Sequence, residues 1–186
     1  MSPPRRQWPD AGRARDAAGL LLVFPREGQA HIVLTVRAET LGRHRGQVSL
    51  PGGVIEPGEA FEQAALREAH EEISLVSAGL QIVGALSPID IPVSGFRLHP
   101  VVAASDHAPA LAAADGEVAR ILEVPVADLL APGSVVTTER EREGVRIRVP
   151  AFRVGGDEIW GATAMILAEF LVVLGWTGPS NSVLSD

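Results

Sequence analysis

The sequence predicts a mixed α+β sandwich, because the predicted strands and helices follow one another without strict alternation. Short apolar runs bounded by turn residues predict strands along most of the chain. Two segments, residues 60–73 and 162–174, are predicted to be helical. With 186 residues, of which 46% are hydrophobic, the chain is suited to one globular domain with a buried core.

Eight strands are predicted. A turn at residues 26–29 separates the first two, and Pro51-Gly52-Gly53 is interpreted as a strong breaker after the third. The predicted strands cover residues 19–24, 30–37, 47–50, 80–86, 96–103, 117–123, 135–140 and 145–154. A short helix is predicted at residues 126–130, and the last two strands are predicted to form a hairpin.

The chain shows no repeat and no long linker. We therefore predict an N-terminal tail at residues 1–16, a single domain at 17–178 and a C-terminal tail at 179–186. The polar N-terminus lacks the apolar core of a secretory signal. The longest apolar stretch, residues 164–176, contains Glu169 and is too short to span a bilayer. We predict a cytoplasmic protein with no membrane partner.

Charge and composition exclude several classes of function. The net charge of −7 argues against sequence-independent binding to nucleic acid, which needs a basic surface. The absence of Cys excludes disulfides and Cys-based zinc sites. All 16 basic residues are Arg, so mechanisms that need a lysine, such as Schiff bases, are excluded. A small phosphorylated ligand bound through a metal is compatible with all of these features.

Three carboxylates, those of Glu68, Glu71 and Glu72, lie within five positions of the first predicted helix. At helical spacing they project from one side. Two unit charges ~6 Å apart at an effective dielectric of ~20 repel by roughly 3 kcal/mol. Either this face is simply solvated, or it holds a cation. The apolar side chains lie on the opposite face, at Leu66, Ala69 and Ile73.

The loop before this helix favours a cation. Gly52 and Gly53 allow backbone carbonyls to approach a site closely. Carboxylates together with a backbone carbonyl make an oxygen-only site, which suits Mg²⁺ or Mn²⁺. The five His residues are scattered along the sequence, which disfavours zinc.

Residues 53–75 resemble the Nudix box, G-x5-E-x7-R-E-U-x-E-E-x-G-U, where U is a bulky aliphatic residue. Every charged position matches at the right spacing, and the matched residues are Gly53, Glu59, Arg67, Glu68, Glu71 and Glu72. Two positions depart from the pattern: Ala69 is small, and Ser74 replaces a Gly that ends the helix with a positive φ. The resemblance implies the Nudix fold, a mixed β-sheet sandwiched between helices.

The resemblance also implies roles for these residues. Glu68, Glu71 and Glu72 would hold Mg²⁺ or Mn²⁺, with the Gly53 carbonyl nearby. Glu59 and Arg67 would pair and orient the catalytic loop against the helix. The implied reaction is attack of water on a diphosphate linkage, in which the metal lowers the pKa of the water and neutralises phosphate charge.

The candidates for the general base are Glu68 and Glu117. Glu68 lies beside Arg67, which would aim it, and is favoured as ligand and base together. Glu117 precedes an apolar predicted strand, and Nudix enzymes often take a further carboxylate from outside the box. Glu123 is its rival, and a plain surface carboxylate is the alternative.

Residues 33–53 resemble the signature of the coenzyme A diphosphatase branch, roughly LLTxRSxxLxxHxGxVxFPGG. Ala38 and Leu50 depart mildly from it. The matching residues are Leu34, Thr35, Arg37, Leu41, His44, Gly46, Val48, Pro51, Gly52 and Gly53. Similar segments extend the resemblance from about residue 17 to residue 175.

The resemblance implies that Arg37, His44, Arg45 and Gln47 bind the substrate, since a guanidinium fork suits phosphate oxygens. His44 is equally compatible with a hydrogen-bonded loop residue, and Arg45 with a solvated one.

The implied function is hydrolysis of coenzyme A or its thioesters to 3′,5′-ADP and 4′-phosphopantetheine or its acyl form. One alternative keeps the chemistry but changes the substrate to ADP-ribose, a dinucleoside polyphosphate or a damaged nucleotide. Another is a Nudix-fold binding module without catalysis, to which only Ser74 points. The sequence leaves open whether the chain forms a homodimer.

Overall fold

The computed structural model describes residues 14–38, 46–92, 94–114, 116–142 and 144–179. Within them, strands form an eight-stranded mixed sheet and a three-stranded antiparallel sheet, accompanied by helices. The strands are β1 (Arg15–Arg26), β2 (Gln29–Arg37), β3 (Val48–Ser49), β4 (Gly52–Val54), β5 (Gln81–Ala85), β6 (Ile89–Ile91), β7 (Phe96–Ala104), β8 (Val118–Pro125), β9 (Val135–Arg142), β10 (Val145–Val154) and β11 (Asp157–Trp160). The helices are α1 (Phe61–Ile73), α2 (Val126–Leu130) and α3 (Gly161–Val173). The predicted α+β architecture is confirmed.

Strand β1 is the centre of the large sheet. It pairs antiparallel with β2 and β4 and parallel with β7. Its central residues are buried on both faces, because helices cover the sheet on both sides. Leu20 and Leu22 belong to the core that includes Ala65 and Ala69 of α1, whereas Leu21 belongs to the core that includes Leu167 of α3. The sheet is therefore sandwiched between α1 and α3.

Three strands were not predicted. As predicted, the chain breaks at Pro51, which separates β3 from β4. The predicted breaker is wrong for Gly52 and Gly53, because both residues belong to strand β4. Gly52 is required there, because a Cβ at this position would overlap the backbone carbonyl oxygen of Ala18 in β1. Strands β6 and β11 were missed because runs of three or four residues carry too little alternation to be recognised.

The other elements agree with prediction to within a few residues. Helix α1 begins at Phe61 and ends at Ile73, and α2 has the predicted bounds. The first strand begins at Arg15, so it includes the last two residues of the segment predicted to be a tail. Among the described residues, the helices are all too short or too polar to cross a bilayer.

Helix α1 ends on a residue with left-handed backbone geometry. Ser74 has φ 55° and ψ 27°. Its N–H donates to the carbonyl oxygen of His70 at 2.9 Å, and the N–H of Leu75 donates to that of Ala69 at 3.3 Å. Ser74 therefore occupies a conformation that glycine adopts without steric cost.

We expect Ser74→Gly to raise the free energy of unfolding by about 1 kcal/mol, because the Cβ clash of a left-handed residue is removed. Urea unfolding measures the change. Ser77→Gly is the matched control, since Ser77 is exposed but does not have a positive φ. An unchanged or lower stability for Ser74→Gly would show that the helix end is not strained.

Candidate active site

The acidic face of α1 lies against β4. The Glu72 side chain accepts a hydrogen bond at Oε2 from the N–H of Gly52, at 3.1 Å. Glu68 lies directly over Gly53, because a Cβ built on Gly53 would overlap the Glu68 carboxylate. Glycine at this position therefore lets a carboxylate of the helix rest on the backbone of the strand, next to the predicted metal-binding carbonyl.

Arg67 ties the helix to the loop that precedes it. Its Nε and Nη2 donate to the two carboxylate oxygens of Glu59 at 2.9 and 3.0 Å, and Nη2 also donates to the carbonyl oxygen of Val54 at 3.0 Å. Its Nη1 donates to Glu68 Oε1 at 2.9 Å, with a longer contact of 3.5 Å to Glu71. This guanidinium therefore fixes the orientation of Glu68.

The same contacts change two pKa values. The hydrogen bond from Arg67 lowers the pKa of Glu59, and the N–H of Glu56 lowers it further. The hydrogen bond to Glu59 in turn raises the pKa of Arg67. The pair is therefore ionised throughout the physiological range, as an orienting pair must be.

Glu72 is the carboxylate with the most perturbed environment in the site. Burial raises the pKa of Glu72 to about 7, and the negative charges of Glu68 and Glu117 add to the increase. The Gly52 N–H and the positive charge of Arg37 oppose it. Two carboxylates and one guanidinium, from three separate parts of the sequence, therefore act on Glu72.

Sheet pairing brings Arg37, Gln47 and Glu117 to one end of β2. The Arg37 N–H donates to the carbonyl oxygen of Gln47 at 3.0 Å, and the Ala38 N–H donates to that of Glu117 at 2.9 Å. Since β8 begins opposite Arg37, Glu117 lies at the start of the neighbouring strand. The Arg37 side chain is exposed, which leaves it accessible to a ligand.

A second connection ties this end of the sheet to α1. The N–H groups of Ala112 and Ala114 donate to the carbonyl oxygens of Ile73 and Glu72 at 3.0 and 2.8 Å. The segment that leads to Glu117 is thus attached to the end of the acidic helix. No pattern of residue types indicated this contact, because it uses only backbone groups.

The remaining predicted site residues either lie at the edge of this cluster, lie away from it, or fall outside the described residues. The Glu71 side chain is 57% exposed, and among the described residues it makes only the long contact to Arg67. Glu123 lies away from Glu117 along β8 and pairs with Arg26 at 2.9 Å. His44 and Arg45 fall outside the described residues.

The donor set fits a hard divalent cation, because all candidate ligands are oxygens. Crowded carboxylates around a partly buried Glu72 provide a further reason for a cation to bind. Glu68 is bonded to Arg67, and Glu72 is bonded to Gly52. In the part of the chain that the structure describes, no group of three or more His, Cys, Asp or Glu side chains is arranged as a metal cluster.

Sequence reasoning missed two backbone groups in the site. The Val54 carbonyl accepts from Arg67, and the Gly52 N–H donates to Glu72. The available signal was the glycine pair, which marks close backbone approach but not which group bonds to which side chain.

Comparison with known proteins places the chain in one domain family. The NUDIX domain family matches residues 13–141. A relative from Cronobacter sakazakii, named "Uncharacterized Nudix hydrolase NudL", is 35% identical over 159 residues, which cover 85% of this chain and 82% of the relative.

Solved structures share the fold. The crystal structure of a Nudix hydrolase from M. smegmatis, RenU, has a TM-score of 0.60 at 22% identity, over 90% of this chain and 89% of that one. The NUDIX domain of Shewanella oneidensis NrtR complexed with ADP ribose has a TM-score of 0.50 at 21% identity, over 67% and 82% of the two chains.

The match to the family covers most of the chain, and the residues of the box are assembled on β4, on α1 and in the loop between them. The predicted Nudix fold and the predicted hydrolase are confirmed. Hydrolases of this family act on diphosphate bonds and generally use divalent metal ions such as Mg²⁺ or Mn²⁺. The chain belongs to the Nudix family of hydrolases.

Proposed function

We propose that the chain hydrolyses the diphosphate linkage of coenzyme A or its thioesters, giving 3′,5′-ADP and 4′-phosphopantetheine or its acyl form. The observation that carries the proposal is the position of Arg37 beside the acidic site. Arg37 belongs to the segment that resembles the coenzyme A branch, and its charge acts on Glu72. A guanidinium from that segment, a group suited to phosphate oxygens, is thus within electrostatic reach of a carboxylate of the Nudix box.

The proposed roles follow from the contacts. Glu68, Glu71, Glu72 and the Gly53 carbonyl would hold the metal. A divalent ion bound there would neutralise phosphate charge and lower the pKa of the attacking water. Glu68 would accept the proton of that water, because Arg67 holds its carboxylate in place over Gly53.

Glu117 is kept as a further ligand or as the alternative base. Its charge acts on Glu72, so it lies within electrostatic reach of the site. Unlike Glu68, it has no guanidinium partner among the hydrogen bonds of the described residues. That difference favours Glu68 as the base.

Arg37 and Gln47 would bind the phosphates of the substrate. Coenzyme A carries a diphosphate and a 3′-phosphate, and an exposed guanidinium at the end of β2 suits such oxygens. His44 and Arg45 are proposed for the same task from the sequence alone. We also propose a cytoplasmic location, where coenzyme A would be available.

The second candidate is another nucleoside diphosphate derivative. The NrtR domain that shares the fold is complexed with ADP ribose, which makes ADP-ribose the first compound to compare. The resemblance of residues 33–53 to the coenzyme A branch favours coenzyme A.

A substrate panel tests the proposal. The kcat/KM values for coenzyme A, acetyl coenzyme A, ADP-ribose and a dinucleoside polyphosphate are measured with Mg²⁺ and with Mn²⁺. We expect coenzyme A or its thioester to exceed the others by at least tenfold. A preference for ADP-ribose or the dinucleotide would leave the chemistry in place and overturn the substrate.

Arg37→Ala is expected to raise the KM for coenzyme A by about tenfold or more, because a charge-assisted hydrogen bond to phosphate is lost. The KM for a substrate without the 3′-phosphate should rise less. Arg146→Ala is the control, since the Arg146 side chain on β10 is 82% exposed and lies 3.8 Å from Glu139. Equal increases for both substrates would assign Arg37 to the diphosphate or to the structure.

A further inference from the structure

The start of α1 is held to the sheet by two stacked rings. Phe61, the first residue of α1, stacks on His99 of β7, with ring centroids 3.9 Å apart and 16° between the ring planes. Stacked rings contribute beyond the area that they bury. The Nε2–H of His99 donates to Asp16 Oδ1 of β1 at 2.8 Å. The His99 side chain is only 12% exposed, so these two contacts hold its ring in place.

Asp16 is connected to both ends of the loop between β4 and α1, residues 55–60. At the start of the loop, the backbone N–H of Ile55 donates to the carbonyl oxygen of Asp16 at 3.1 Å. At its end, Phe61 rests on His99, whose ring donates to the Asp16 carboxylate. One residue of β1 therefore fixes where the loop begins and, through His99, where the loop ends.

The cap at the start of α1 is incomplete. Ala60 stands at the N-cap position and has no side-chain oxygen that could accept from the first N–H groups of the helix. Gln63 Oε1 accepts from the Ala60 N–H at 3.0 Å, which is one of the two hydrogen bonds of a capping box. The stack of Phe61 on His99 therefore gives α1 a fixed starting point that the cap does not supply.

Strand pairing sets the distance between this stack and Glu68. Ala18 of β1 lies opposite both Gly53 of β4 and His99 of β7. Neighbouring strands are about 4.8 Å apart, so Gly53 and His99 are separated by about 10 Å. Phe61 and Glu68 are two helical turns apart, which also corresponds to about 10 Å along one side of α1. The helix is therefore fixed to one row of the sheet at two points, Phe61 over His99 and Glu68 over Gly53.

The loop between these two points controls the direction of the Glu68 carboxylate. Glu59 of the loop accepts from Nε and Nη2 of Arg67, and Nη1 of the same guanidinium donates to Glu68 Oε1. A displacement of residues 55–60 would therefore turn the Arg67 guanidinium and change the aim of Glu68. A misplacement of about 1 Å in a reacting group can cost about 10²-fold in rate.

We propose that Asp16, His99 and Phe61, which we call the loop anchor, position Glu68 for catalysis by fixing the loop that carries Glu59. Asp16 and His99 lie outside the Nudix box, and Phe61 occupies one of its variable positions. The three side chains act on the reaction only through Glu59 and Arg67, so they are positioning residues. The proposal rests on the proposed role of Glu68 as metal ligand and base.

Steady-state kinetics of loop-anchor variants test the proposal. Phe61→Leu removes the stack, and His99→Ala removes both of the His99 contacts. Each should lower kcat about tenfold and leave KM within twofold, because substrate binding at Arg37 is untouched. Phe61→Tyr keeps the ring and should keep the wild-type kcat. Phe61 is 43% exposed, so its replacement by Leu opens no cavity in the core.

Phe96→Leu is the matched control, because Phe96 is an aromatic residue of the same strand whose ring contacts Arg15 rather than α1. It should keep the wild-type kcat and KM. All rates are measured below the thermal midpoint of each variant, with the compound that the wild-type protein cleaves fastest. A wrong substrate assignment therefore does not affect the comparison.

The Glu59→Ala background separates positioning from a general loss of stability. In this background Arg67 has lost its two hydrogen bonds to Glu59, so the loop no longer aims Glu68. Phe61→Leu should then lower kcat by less than twofold, since the two changes interrupt one chain of contacts. As a measurement that does not use activity, amide exchange in residues 55–60 should be faster in His99→Ala than in wild type. Exchange in residues 145–154 should not change.

Three results would overturn the proposal: an unchanged kcat in both Phe61→Leu and His99→Ala, a tenfold rise in KM at constant kcat, or the same tenfold loss of kcat in the Glu59→Ala background as in wild type. The second would make Phe61 a substrate contact, and the third would make the loop anchor a purely structural feature. Cleavage of ADP-ribose in preference to coenzyme A, with the expected effects of the variants, would support the loop anchor and overturn only the proposed substrate.

Discussion

Glu68→Gln is expected to lower kcat by about 10²–10⁴-fold at saturating metal, because a positioned general base contributes a factor of that size. The amide can still fill the space over Gly53 but cannot accept the proton. Its hydrogen bond with Arg67 can be kept through the amide oxygen. The loss should therefore appear in kcat with little change in the thermal midpoint. Initial rates over a range of Mn²⁺ concentrations measure it.

Glu117→Gln separates the two candidate bases. If Glu117 is a metal ligand but not the base, Glu117→Gln should lose less activity than Glu68→Gln does. Excess metal should then restore part of the activity that Glu117→Gln loses. Glu62→Gln is the control, because Glu62 is exposed on the first turn of α1. If Glu117→Gln is almost inactive at saturating metal while metal rescues Glu68→Gln, the base is Glu117.

Glu72→Gln is expected to stabilise the metal-free protein at alkaline pH while greatly reducing turnover. Burial raises the pKa of Glu72 from 4.5 to about 7, so the folded state binds this proton more tightly than the unfolded state does. The stabilisation from that proton is present below pH 4.5 and is lost as the pH rises through 7. The loss amounts to about 2 kcal/mol after allowance for partial exposure.

Glutamine is neutral at every pH and can keep the hydrogen bond from the Gly52 N–H. In EDTA, wild type and Glu72→Gln should unfold with similar free energies at pH 5, and the variant should be more stable at pH 8. Added Mn²⁺ should raise the thermal midpoint of wild type at pH 8 more than that of the variant. Urea unfolding at a series of pH values measures the first effect.

Two outcomes would contradict this account of Glu72. Parallel pH profiles for wild type and variant would show that burial and carboxylate crowding do not destabilise the metal-free site. Full activity of Glu72→Gln at low Mg²⁺ would remove Glu72 from the metal ligands. Glu62→Gln should keep the wild-type pH dependence.

Hydrophobic periodicity and turn residues were enough to predict the longer helices and strands. Helix α1 was placed to within one residue, because its apolar side chains follow the helical period. Strands β1 and β2 were found because their long apolar runs flank a turn, where Glu27 and Gly28 have positive φ. Strands β4, β6 and β11 were too short to show alternation.

The sequence alone predicted only part of the site, because some of its contacts form between distant segments of the chain. The spacing of Glu68, Glu71 and Glu72 places them on one helix face from sequence alone. The approach of Arg37 and Glu117 to Glu72 depends on the pairing of β2 with β8, which no local pattern encodes. The support from the Gly52 N–H depends on the contact between β4 and α1.

The α1 site is proposed to cleave the diphosphate of coenzyme A with a divalent metal. The most direct test of this proposal is mass spectrometry of the products formed from coenzyme A in H₂¹⁸O with Mn²⁺. We expect 3′,5′-ADP and 4′-phosphopantetheine, with one ¹⁸O in one of the two products, and no reaction in EDTA. Intact coenzyme A, loss of the 3′-phosphate alone, or equal cleavage without metal would contradict it.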